Sequence, residues 1–134
     1  ADGAIISWEL GSSNITFAGA NMPILIQNGP IIKEHKGIRR SLGYRKNKNR
    51  LEFINKKIEL NNSTRLFIFT DGILDEGRNI DGIAYGKKRL MSFLIKSKKI
   101  TLSKLNEDLK NELSNWRNNR PRRDDITFLS IKPL

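Results

Sequence analysis

No cysteine occurs in this chain of 134 residues, which excludes a disulfide framework, a thiolate nucleophile and a thiolate metal site. Histidine occurs once, at His35, so no cluster of imidazoles can hold a transition metal. Any metal here would have to be bound by oxygen, which favours hard cations such as Mg or Mn. Aromatic residues make up only 7% and proline occurs four times. Apolar runs stay far below the roughly 20 residues that cross a bilayer, and residues 1–20 lack the basic, apolar and small-residue succession of a secretory signal. The composition therefore predicts a soluble, cytoplasmic domain with one core. The sequence starts at Ala1 without a methionine, as a piece of a longer protein would.

Charge is abundant, with 25 Lys and Arg against 14 acids and a formal net charge of +11. Such an excess can serve phosphate backbones or anionic membranes. The basic residues are scattered, however, and their densest groups lie beside Gly, Asn or Pro, at Arg39-Arg40, at 44–50 (YRKNKNR) and at 117–123 (RNNRPRR). Solvated loops account for them better than a nucleic-acid groove.

The first half of the chain reads as strands. Residues 4–9 (AIISWE), 14–18 (NITFA), 24–27 (ILIQ) and 30–33 (PIIK) are short, Ile-rich and separated by turn chemistry, with an Asn-Gly hairpin between the last two. Residues 36–50 read as a long basic loop, and 51–60 as a strand with an irregularity near Asn55. Residues 65–70 (RLFIFT) form a nearly continuous apolar run, which predicts a strand buried on both faces. The period then changes. Leu90, Met91, Leu94 and Ile95 in 87–96, and Leu102, Leu105, Leu109, Leu113 and Trp116 in 101–116, fall at helical steps, with Thr101 as the N-cap. After Pro121, residues 126–131 (ITFLSI) return to a strand with Ile126, Phe128 and Leu129 available for a core. The order predicts an α+β layered domain.

The chemistry concentrates in carboxylates at strand ends. Asp71 closes "LFIFT" and Asp124 opens the approach to "ITFLSI"; if the two strands are antiparallel neighbours, both acids emerge at one rim, able to share a cation. Gly72 would let the backbone turn away, and Asp75 would return to the same side if a helical turn begins there. The alternatives are that Asp-Gly is only a turn, and that Asp124 or Asp125 caps the strand or pairs with Arg122 and Arg123. Other chemistries lack their residues. Neither GxxxxGK[ST], GxGxxG nor GxSxG occurs, His35 sits in a polar "KEHKG" stretch expected to be exposed, and Trp8 and Trp116 read as core or helix-face residues.

Taken together, "FAGANMPILI", "SLG" at 41–43, "LFIFTDGILDE", "YGKKRL" and "RDDITFLSIK" resemble, in order and spacing, PPM-type serine/threonine phosphatases, the protein phosphatase 2C superfamily, in its stage II sporulation protein E branch. The resemblance covers almost the whole chain. It implies the C-terminal part of an αββα sandwich, two antiparallel sheets flanked by helices, with residues 1–134 as a partial catalytic domain. It also implies two Mn or Mg ions in a cleft at one end of the sandwich, and hydrolysis of phosphoserine or phosphothreonine. By the same resemblance Asp71 and Asp124 are metal-binding and catalytic, Asp125 lies beside them, and Asp75 lies near a further, weaker metal. Gly72, Thr70 and Thr127 are shape-setting neighbours. Two features of the family are missing: an Asp-containing segment before a Ser-Gly-His-Gly-like turn, and another upstream acid. A phosphatase parent with an inactive, metal-free fragment is the resulting expectation.

In this branch the substrate is a phosphorylated regulator such as an anti-anti-sigma factor, and the domain follows a sensor that can anchor it at a membrane. Truncation leaves sheet edges open, which predicts a homodimer. The rival functions are a non-catalytic partner-binding module on the same fold and a basic nucleic-acid binder; the phosphatase reading requires no nucleic acid.

Overall fold

A computed structural model describes residues 1–43, 52–77 and 83–134. The basic cluster at 44–50, and Leu51 with it, lies outside the described residues. The elements run β1 (Gly3–Ser7), β2 (Asn14–Ala20), β3 (Ile24–Asn28), β4 (Ile31–His35), β5 (Lys56–Glu59), β6 (Thr64–Phe69), α1 (Gly72–Asp75), α2 (Gly86–Lys96), α3 (Leu102–Arg117) and β7 (Phe128–Ile131).

Two antiparallel sheets form, one ordered β1-β2-β5 and the other β4-β3-β6-β7. Alternation along the strands divides the apolar residues between two cores. Ile24, Ile26 and Leu66 face the first sheet and meet Ile15, Phe17 and Ile58. Leu25, Phe67 and Phe69 face the opposite way and pack under Leu90, Leu94, Leu105, Leu109 and Leu113 of the helices. The central strands β3 and β6 are covered on both sides, and this is why they carry almost unbroken apolar runs. The fold is thus α+β, two antiparallel sheets with a helical layer on the second.

The helices begin and end where capping chemistry allows. Thr101 accepts a hydrogen bond from the Lys104 N–H at 3.3 Å, and Asn118 ends α3 in the left-handed region at φ 51°. Arg65, buried between sheet and helices, donates to the carbonyls of Ser97 and Ile100 and so joins the exit of α2 to the entrance of α3. Burial holds its pKa below the usual arginine value.

Several expectations need correction. Of the described residues 52–60, only Lys56–Glu59 is a strand, because those before it find no ladder partner among the described residues. The β3–β4 hairpin pairs Asn28 with Ile31, so its two-residue loop is Gly29-Pro30, with Gly29 supplying the positive φ of 59°. His35 is the last residue of β4 and only partly exposed, while Trp8 is 46% exposed and outside either core. Leu129 and Ile95 are also exposed, Leu129 because it falls on the strand face opposite the half-buried Phe128 and Ser130.

Candidate metal and phosphate site

β6 and β7 pair antiparallel, with Leu66 opposite Ile131 and Phe69 opposite Phe128. Beyond Phe69 the two segments stay joined by one backbone hydrogen bond and two through the Thr70 side chain. The Thr70 N–H donates to the Thr127 carbonyl at 3.0 Å, the Thr127 N–H donates to Thr70 Oγ1 at 3.0 Å, and that hydroxyl donates to the Asp125 carbonyl at 3.3 Å. The chain that leaves β6 and the chain that enters β7 are therefore held together at one end of the sandwich.

Asp71 lies on the first of these segments, and Asp124 and Asp125 on the second. All three are exposed. Asp71 precedes α1 without a side-chain capping bond, and its carbonyl accepts from the N–H groups of Leu74 and Asp75. Asp124 Oδ1 accepts from the Asp125 N–H at 2.8 Å. Among the described residues neither Asp71 nor Asp124 enters an ion pair. Asp75 is half-buried at the end of the same helical turn.

Gly72 lies against the backbone of the second segment. A Cβ on it would stand 2.2 Å from the Asp125 carbonyl oxygen, so only glycine admits this approach. The sequence suggested a turn residue; the structure gives the glycine a steric reason instead.

Sequence reasoning missed Glu76. This acid is 3% exposed, and its Oε2 lies 3.6 Å from Arg117 Nη1 and 3.9 Å from Arg122 Nε. Arg122 thus faces Glu76 rather than the adjacent aspartates. The only clue in the sequence was an extra acid in "TDGILDEG" with no assigned partner. Nearby, Tyr85 and Trp116 meet edge to face at 5.9 Å and Arg89 lies 4.4 Å over the Trp116 ring. The Tyr85 hydroxyl donates to Glu112, and burial, reinforced by that carboxylate, raises its pKa well above the usual phenol value.

Asp71 and Asp124, exposed oxygen donors without an ion pair among the described residues, suit two ligand positions of a hard dication. They do not complete a cage: among the described residues no three acid or histidine side chains gather closely enough to hold a metal. Among the same residues no helix is long and apolar enough to cross a membrane.

The architecture matches part of the PP2C-type phosphatase domain fold. The chain belongs to the stage II sporulation protein E (SpoIIE) family, whose profile matches residues 2–133. The SiaA PP2C domain of Pseudomonas aeruginosa superimposes with a TM-score of 0.86 at 26% identity, over 98% of this chain and 51% of that one. The phosphatase domain of the cell fate determinant SpoIIE from Bacillus subtilis gives a TM-score of 0.67 at 14% identity, over 98% and 58%. RsbX, solved in complex with magnesium, gives 0.57 at 16% identity, over 96% and 54%. No curated protein matches the chain. The chain spans roughly half the length of these solved domains.

Proposed function

We propose that this chain is the C-terminal part of a Mn- or Mg-dependent phosphoserine/phosphothreonine protein phosphatase domain. The observation carrying the reading is the antiparallel β6–β7 pair, whose ends bring the Asp71 and Asp124 segments to one rim. In such a domain the dication supplies charge neutralisation and an activated water. This chain's own part is to present Asp71 and Asp124 as ligands, with Asp125 beside them and Asp75 near a weaker position. Thr70, Thr127 and Gly72 fix the two segments against each other. The remaining ligands belong to the half of the domain that this chain does not span, so the isolated chain is inactive and binds metal weakly. The substrate class is a phosphorylated regulatory protein such as an anti-anti-sigma factor. The protein acts at the cytoplasmic side, behind a sensor domain.

The test is Mn-dependent hydrolysis of a chromogenic phosphate ester by the complete domain. Asp71→Asn and Asp124→Asn should each lower it by more than the roughly 10–100-fold that loss of an outer-shell partner costs. Unchanged turnover in both variants would remove the assignment. A second reading, a non-catalytic partner-binding module, is favoured by one observation: no group of three metal-binding side chains among the described residues. A complete domain without the missing upstream aspartates, and without Mn-dependent turnover, would select it.

A further inference from the structure

Glu76 is the one acid among the buried residues described, and burying a carboxylate costs several kcal/mol unless cations compensate it. Two guanidinium groups do so here, from Arg117 and Arg122, at ion-pair rather than hydrogen-bond distance; Oε2 accepts no hydrogen bond. An amide or an aliphatic side chain would fill this space at lower cost, so the charge calls for a reason beyond packing.

Arg117 is the last residue of α3, and Arg122 lies two residues before Asp124. Between them Asn118 and Asn119 both adopt left-handed backbone, at φ 51° and 62°, and Pro121 follows. No strand or helix spans 118–127, so its course depends on individual anchors. On one side of Asp124, the Asp125 carbonyl is held by Thr70 Oγ1 and pressed against Gly72. On the other side the anchor is Arg122 facing Glu76. Glu76 is itself fixed, its N–H donating to the Ile73 carbonyl and its own carbonyl accepting from the Tyr85 N–H at 2.8 Å. It also directly follows Asp75 on the one-turn helix that starts after Asp71.

We infer that Glu76 is a positioning residue: through Arg117 and Arg122 its buried carboxylate clamps the segment carrying Asp124 to the helical turn carrying Asp71 and Asp75. The inference deepens the phosphatase reading and rests on it. Glu76 touches neither metal nor substrate.

The experiment titrates Mn2+ alone into the complete domain by calorimetry, for wild type, Glu76→Gln, Arg122→Met, their double variant and Asp71→Asn, with thermal unfolding measured alongside. Glu76→Gln and Arg122→Met should each weaken Mn2+ binding about 10–100-fold, the range seen when a ligand loses its outer support. The double variant should be no weaker than the poorer single one, because Glu76→Gln already removes the contact that Arg122→Met removes. A merely structural ion pair would move the melting temperature and leave the Mn2+ affinity alone. Arg122 is about half exposed, so Arg122→Met keeps the test open if Glu76→Gln fails to fold. Affinities within twofold of wild type in both variants, with binding lost in Asp71→Asn, would overturn the clamp and leave the phosphatase reading standing. Wild-type binding by Asp71→Asn would overturn both.

Discussion

Replacing Gly72 by alanine sets a single methyl group against the backbone of the opposite segment. The added Cβ would lie 2.2 Å from the Asp125 carbonyl oxygen and 3.1 Å from its carbon, with Ile126 Cγ1 at 3.4 Å. An ordinary carbon–oxygen contact needs about 1 Å more, and the obstacle is main chain, which cannot rotate away as a side chain could. Overpacking of this kind costs about 1–3 kcal/mol. In a complete domain of twice this length that lowers the melting temperature by roughly 2–10 °C. The functional cost should be larger. Displacing Asp125 carries Asp124 with it, and a misplacement of about 1 Å in a catalytic constellation can cost on the order of 100-fold in rate. Gly72→Ala should therefore lose Mn2+ affinity and turnover at temperatures where it is still fully folded, as judged by circular dichroism. A variant that melts early but binds Mn2+ and turns over like wild type would refute the claim that this contact sets the rim.

Three other outcomes are expected. Leu94→Ala, at a fully buried position between α2 and the second sheet, should destabilise the fold by about 2–5 kcal/mol in denaturant titration. His35 has its pKa lowered, first by partial burial and then by Lys56 and Lys33, so the unfolded chain takes up a proton more readily. Stability should accordingly fall as pH drops below about 6.5, and His35→Gln should flatten that slope. The isolated chain, with β1 and β5 edging one sheet and β4 and β7 the other, should self-associate at tens of micromolar; light scattering showing a monomer would contradict this.

How far the residues foretold this arrangement varied with the kind of signal. The strand at 14–20 and the helices at 86–96 and 102–117 could be read because one-sided burial imposes a period on them, and the strands at 24–28 and 64–69 because burial on both faces leaves short, nearly unbroken apolar runs. The antiparallel pairing of β6 with β7 was a conditional reading, and its register emerged only in three dimensions. Glu76 could not be read at all. Its partners lie 41 and 46 positions away along the chain, beyond the reach of any local pattern. Arg122 shows the same limit from the other side. Two aspartates follow it at two and three residues' distance, yet the chain beyond the turn at Asn118 and Asn119 delivers it to a third acid. Leu129 reads in the sequence as available for a core and Trp8 as a core or helix-face residue, but both are about half exposed, Leu129 because it falls on the outer face of its strand.

The segments that carry Asp71 and Asp124 are the two ends of one long excursion through α1, α2 and α3. Closing that excursion is a non-local event, which loop-closure entropy makes slow and cooperative. An intermediate in which β7 has not yet paired with β6 lacks the contacts that hold the two segments together. Competence to hold an ion and completion of the hydrophobic interior should consequently arrive together during folding, and vanish together when the chain comes apart.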